Sequence, residues 1–167
     1  MERAEVARAL DFLIRLEADV PVDEALYSLS ALAEQFQPGA IVGGTIIDSR
    51  SATFDRVVYP SLPASPFSTF RHVPISSSIF GTCSKAVREG RTIICLDTAI
   101  EASFDVSWRS LYLGLGIHSV QSAPVFSFNG KPLGTFVVTF RQPRAPFDRE
   151  MTGFGVHAMR TILQNRQ

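Results

Sequence analysis

The stretch HSVQSAPVFSFNGKPLGTFVVTF, residues 118–140, limits the possible folds more than any other part of the chain. Two runs rich in β-branched and aromatic residues flank Asn129-Gly130, a dipeptide that readily takes the positive φ angles of a two-residue hairpin turn. The chain is therefore committed to antiparallel β-structure. An isolated two-stranded hairpin is marginal in water, so further strands and a covering layer must come from the remaining sequence.

They are legible there. Residues 40–48, AIVGGTIID, form a β-branched run, and TFDRVVYP after the Asp48–Ser51 turn reads as its partner strand. RTIICLD, residues 91–97, reads as a buried strand. Helical spacing marks four longer segments. Val6, Leu10, Leu13 and Leu16 share a face near the N-terminus. PVDEALYSLSALAEQF follows, with Pro21 in the first turn, Asp23 and Glu24 at the positive end of the dipole, and Leu26, Leu29, Ala33 and Phe36 on the buried face. FDVSWRSLYLGLG stops at glycines. In the last segment, 146–166, Met151, Phe154, Ala158 and Ile162 line one side, weakened by Gly153 and Gly155. GTCSKAVREG is a shorter helix ended by Gly90. Between Ser61 and Ser78 the chain is Ser- and Pro-rich and lacks any period, so it is expected to lie over the domain as a loop. The order α-α-β-β-loop-α-β-α-β-β-α predicts an α+β fold: a mainly antiparallel sheet of five to six strands with helices on at least one face.

The 167 residues suffice for one domain, without a splitting linker or internal repeat. Sixteen Lys+Arg balance sixteen Asp+Glu, so no basic excess exists to neutralise nucleic-acid phosphates. No run of about 18 apolar residues could span a bilayer, and charges interrupt the N-terminus where a secretory signal would need an apolar stretch. Cys83 and Cys95 make no disulfide framework. A cytoplasmic location is expected.

Four segments, in order, resemble the GAF family of sensory domains: PSLP before the loop, GTCSKAVREGRTIICLD, LGIHSVQSAPVFSFNGKPLGTFVVTF, and RQPRAPFDRE at the start of the last helix. The resemblance covers residues 22–165 as the domain core, with 1–20 as a helix suited to dimerisation. It implies a PAS-related sheet, adjacent N- and C-terminal helices, and a non-catalytic module. Such a module binds a small molecule beneath a covering loop and signals through its terminal helices. Partners implied are the small-molecule ligand, a second copy of the chain, and a fused or separate output domain, as in two-component systems. Ser84 stands where the family commonly has Gly, and Gln121 where close-looking sensors have an aromatic residue. The signature of cyclic-nucleotide-binding members is not evident.

Candidate ligand-binding residues are Tyr59, Phe80, Cys83, Trp108, Tyr112, His118, Gln121 and Thr135. Trp108 and Tyr112, four apart on one helix, would supply an aromatic wall with polar tips, and removing the indole should weaken binding without unfolding the chain. Gln121 and Ser122 alternate along a strand, so only one of them can face the pocket. Cys83 opens a short helix, which can lower a thiol pKa, although a buried free cysteine also serves as a small hydrophobe. The free methionine-(R)-sulfoxide reductases, which are GAF enzymes, carry a cysteine at this motif position. They need a second one in the segment corresponding to EASFDVSWRSLYLGLG, which has none. A reductase is thus the catalytic alternative, and a ligand-free dimerising scaffold the structural one. His72, His118 and His157 are scattered and give no zinc spacing. His72 or His118 could hold haem, as in some GAF sensors, but no cofactor is predicted. Ser76–Ser78 could grip an anion or simply form a loop tip, and Asp97 could touch a ligand or cap a turn.

Overall fold

The computed structural model describes residues 4, 6–11 and 19–164. Leu13 and Leu16 of the expected N-terminal stripe lie outside the described residues. Residues 6–11 are helical, and Val6 and Leu10 pack half-buried on the main core.

Helix α1 is Val22–Phe36, with Asp23 and Glu24 in its first turn. Strands β1 (Ala40–Asp48) and β2 (Thr53–Val58) form the first hairpin, with a register shift between Ile46 and Ile47. Helix α2 (Thr82–Glu89) leads to β3 (Ile93–Cys95), and α3 (Val106–Gly114) leads to β4 (Ser119–Phe126) and β5 (Pro132–Phe140). Helix α4, Arg149–Gln164, closes the fold. The five strands lie in the order β2-β1-β5-β4-β3, and every neighbouring pair is antiparallel. The Asn129-Gly130 turn joins β4 to β5 as expected, with Gly130 at φ 83° and Ser127 N–H donating to the Lys131 carbonyl at 2.8 Å. None of the described helices is long and apolar enough to cross a membrane.

Two cores result, one on each side of the sheet. On the first, α1 and α4 pack on the residues of one strand parity: Val42 and Ile46 of β1, Val125 of β4, Phe136 and Val138 of β5. Leu29, Ala33, Met151, Met159 and Ile162 complete this side, so the stripes read from helical period are buried except at Phe36, which is only half-buried at the C-terminal end of α1. Gly155 is needed there, because a Cβ would lie 2.2 Å from the Phe136 ring.

The second side is covered by α2, α3 and the segment between β2 and α2. That segment contains two 3-10 helices, Ser65–Phe70 and Ser78–Phe80. Its lack of period is explained by anchoring: Phe67, Phe70 and Phe80 point inward at 4%, 4% and 0% exposure, with polar residues between them. Its far end is tied to the sheet edge, where Phe54 N–H donates to the Val73 carbonyl at 2.8 Å and His72 N–H to the Phe54 carbonyl at 2.7 Å. Thr53 and Pro74 form an antiparallel bridge there.

Two sequence expectations need correcting. RTIICLD does not form a fully buried strand. Only Ile93–Cys95 pairs, at the sheet edge, and Ile94 is 46% exposed because no helix among the described residues covers that end of the first face. The helix expected from Phe104 starts at Val106, because the Asp105 carboxylate accepts from the Ser107 and Trp108 N–H groups and fixes the N-cap.

Candidate functional site

The second face of the sheet is built from the other strand parity and differs in chemistry. Register places Thr45 of β1 opposite Thr135 of β5, and their hydroxyls lie 2.7 Å apart. Thr135 Oγ1 lies 3.4 Å from Cys83 Sγ, and Cys83 Sγ lies 3.4 Å from Ser122 Oγ. Ser122 in turn shares a 2.8 Å hydrogen bond with Thr82. A chain of four hydroxyls and one thiol therefore runs across three strands and into the first turn of α2, all at 0% exposure. Such a chain is tolerable inside a protein only because each member finds a partner.

Above this chain lies an aromatic roof. The Tyr59 and Tyr112 hydroxyls are 2.9 Å apart. Phe67 stacks on Tyr59 with centroids 5.0 Å apart and meets Tyr112 edge-on at 6.1 Å. Trp108 lies 4.8 Å from Tyr112, tilted by 35°. Phe80 packs 4.4 Å from both Phe54 and Phe70. Two glycines let these rings sit where they do. Tyr59 lies flat on Gly43, where a Cβ would be 2.3 Å from the ring. Trp108 covers Gly81, whose φ of 57° and 2.2 Å clearance to the indole exclude any side chain.

The buried Trp108 indole N–H makes no full hydrogen bond among the described residues, and its nearest acceptor is the Tyr112 hydroxyl, whose upward shift it opposes; Ser84 Oγ of α2 is also buried without a partner. Burial pushes the Cys83 thiol up, against the weaker pull of its hydroxyl neighbours, so the thiol is kept protonated rather than activated. The Tyr59 and Tyr112 hydroxyls are also pushed upward, first by burial. Burial likewise raises the Cys95 thiol to about 11, with the Glu101 carboxylate adding to the effect.

Of the residues singled out from sequence, Tyr59, Phe80, Cys83, Trp108, Tyr112 and Thr135 come together on this face. Gln121 does not. It pairs with Val138 in register and faces α4, where its amide donates to Thr152 Oγ1 at 2.6 Å. Alternation gives the roofed position to Ser122 instead. His118 sits before β4, its side chain 39% exposed and 3.9 Å from the Asp97 carboxylate, outside the aromatic cluster. Thr45, Thr82 and Phe67 belong to the site and were not singled out. The pairing of Thr45 with Thr135 follows only once the order of β1 and β5 is known.

Sequence reading, which expects a small molecule beneath the covering loop, also implies a cavity enclosed between sheet and roof. Here the roof is closed, and the space is taken by Tyr59, Phe67, Phe80, Trp108 and Tyr112, each 4% exposed or less. The grooves that the structure describes open elsewhere. One, of about 360 Å³, runs between α1, β2 and the first 3-10 helix, and Phe67 forms part of its wall.

The sequence model of the GAF domain family matches residues 20–162. A methyl sulfide methyltransferase-associated sensor of Methanosarcina acetivorans is 26% identical over 141 residues, 83% of this chain and 14% of that protein. The chain thus spans about one-seventh of that relative's length. Among solved structures, the GAF domain of an Acinetobacter phosphoenolpyruvate-protein phosphotransferase is similar with a TM-score of 0.68 and 12% identity, over 98% of this chain and 93% of that one. A free methionine-R-sulfoxide reductase of Neisseria meningitidis, solved with its substrate, is similar with a TM-score of 0.66 and 17% identity, over 99% and 95%. At these identities the two structures speak for the fold.

Proposed function

The chain belongs to the GAF domain family, and on that premise we propose that this sensory domain binds a small, largely uncharged polar molecule between the sheet and the aromatic roof. The observation that carries the reading is the buried chain of Thr45, Thr135, Cys83, Ser122 and Thr82 beneath two tyrosines and an indole N–H held only by a weak contact to the Tyr112 hydroxyl. A face meant only for packing would be as apolar as its counterpart under α1 and α4. Buried polar groups cost stability unless paired, and a weakly bonded donor favours a better acceptor that arrives from outside. Every polar group on the roofed face is neutral, so a buried formal charge on the ligand would find no counter-charge there.

The closed roof is the ligand-free end of a two-state equilibrium. Phe67 faces both the outer groove and the tyrosine pair, so its displacement opens a way in. A ligand that prefers the opened arrangement shifts the balance by its differential affinity. The signal passes to a homodimer formed through the terminal helices and to an output domain. The half-burial of Val6 and Leu10 against the α1–α4 core supports a path of this kind, as does the much greater length of the sensor relative.

Mass spectrometry of the small molecules that co-purify, followed by titration with Trp108 fluorescence as readout, tests the reading. Saturable quenching that is lost in Thr45→Val/Thr135→Val is expected. If no compound moves the fluorescence or the melting temperature, the roof is a permanent core and the scaffold alternative stands.

A catalytic reading draws on one observation: Cys83 lies at the centre of the site in a fold shared with methionine sulfoxide reductases. It requires turnover of free methionine-(R)-sulfoxide by a thiol that burial holds protonated. Turnover that disappears in Cys83→Ser would establish it.

A further inference from the structure

On the opposite side of the sheet, a groove of about 650 Å³ runs between the β3–β4 edge and the start of α4. We infer that this groove is a second ligand site, for a small aromatic carboxylate that also carries a hydroxyl or N–H donor. Three features of the groove converge on that chemistry.

The first is Gly153. It stands inside a 16-residue helix, where glycine is unfavourable, and a Cβ placed on it would meet nothing within 4 Å. Gly155, two residues on, is demanded by the Phe136 ring, whereas nothing among the described residues demands Gly153. A bare helix backbone facing an open groove suits close approach by something from outside. The second is Gln121, which is 4% exposed and lines the groove from the middle of β4. Its amide N–H is used by Thr152, while its carbonyl oxygen has no partner among the described residues. That oxygen is not among the buried unpartnered atoms, so it reaches solvent at the groove, where a ligand donor can take the place of water.

The third is the contrast between floor and rim. Ala123 and Pro124 make a shallow floor beside Phe126 and Phe147, and Phe147 is held edge-on to Phe140 at 5.4 Å. A slot with ring-bearing walls fits a flat apolar body, and its volume is typical of a small-molecule site. At the rim, Arg149 makes no ion pair among the described residues, and Arg91 is balanced by Glu89 at 2.5 Å. The uncompensated guanidinium is suited to a carboxylate. Because this site lies across the sheet from the roof, its success or failure is independent of the function proposed above.

Isothermal titration of the 167-residue chain with 4-hydroxyphenylacetate and indole-3-acetate provides the test. Saturable binding is expected, with 4-hydroxyphenylacetamide, which lacks the charge, at least about tenfold weaker. Arg149→Ala should erase that preference. Gly153→Leu should fill the slot and weaken both acids by more than about tenfold without lowering the melting temperature. Gly114→Leu, at another helical glycine with open space above it, should bind as the parent does. Absence of saturable binding by both acids, or binding that survives Gly153→Leu, would overturn the inference. So would a change of oligomeric state caused by Gly153→Leu, which would make the face a contact between copies.

Discussion

The two faces of one sheet are built from alternate residues of the same strands, yet they are different materials. Under α1 and α4, the β5 residues are Phe136, Val138 and Phe140, packed on Leu29, Met159 and Ile162 by long regular helices. One residue over, Thr135, Val137 and Thr139 face a roof of short helices and 3-10 turns, with Cys83 and Ser122 among them. The aliphatic side is what apolar burial alone would select. The roofed side keeps hydroxyls where methyl groups would fit, under a cover of two short α-helices and two 3-10 helices. Both faces are closely buried, so both contribute to stability; on the function proposed above, the roofed face is the part that opens.

The sharpest challenge to this division is Trp108→Ala. At 0% exposure the indole is core as well as roof, so its removal should destabilise the chain by about 3–5 kcal/mol in urea, not merely weaken binding. A loss below about 1 kcal/mol would mean that the roof contributes little to the folded state. Gly155→Ala tests the other face: with the Phe136 ring 2.2 Å from the new Cβ, about 1–3 kcal/mol should be lost.

A double-variant cycle separates polar chemistry from packing. Thr135→Val alone strands the Thr45 hydroxyl and should cost about 1–3 kcal/mol, whereas Thr45→Val/Thr135→Val should come close to parental stability. If the double variant is as unstable as the single, the hydroxyl chain is structural rather than poised for a ligand.

Alkaline titration probes the same asymmetry. Tyr59, Tyr112, Cys83 and Cys95 all have folded-state values raised above their unfolded ones. The folded chain then holds protons that the unfolded chain releases. The stability these groups contribute is intact below the unfolded thiol value near 9 and falls as pH climbs through the Cys95 value of about 11. Urea midpoints measured from pH 7 to 11 should drop progressively above 9. A flat profile would show that these groups are not buried in solution. The smallest effect is expected from Arg56→Ala, which removes exposed contacts to Asp23 and Asp55 and should cost less than about 1 kcal/mol.

Much of this contrast could be read before any coordinates. The stripe Leu26–Leu29–Ala33–Phe36 and the stripe Met151–Phe154–Ala158–Ile162 identified the helical face, because periodicity records burial, although Phe36 at the helix end is only half-buried. Asn129-Gly130 fixed the central hairpin. Trp108 and Tyr112 were placed together by helical spacing, and four more of the eight candidate positions joined them. The sequence could not say which side of the sheet Gln121 would take, since strand alternation gives parity without sign. His118 lies outside the cluster because a strand start gives no direction to a side chain beyond the last pair. The Thr45–Thr135 contact depends on a strand order that brings together residues 90 positions apart, and no local pattern encodes that.

The margins of the sheet also bear on how the molecule behaves in crowded solution. An unpaired strand margin invites other chains to add to it and can seed aggregation. Here β2 begins under the backbone of residues 72–75, and β3 offers only three residues. The ties that fasten the roof therefore also deny a template to neighbouring molecules, so a variant that frees residues 72–75 should aggregate through β2 before its core melts.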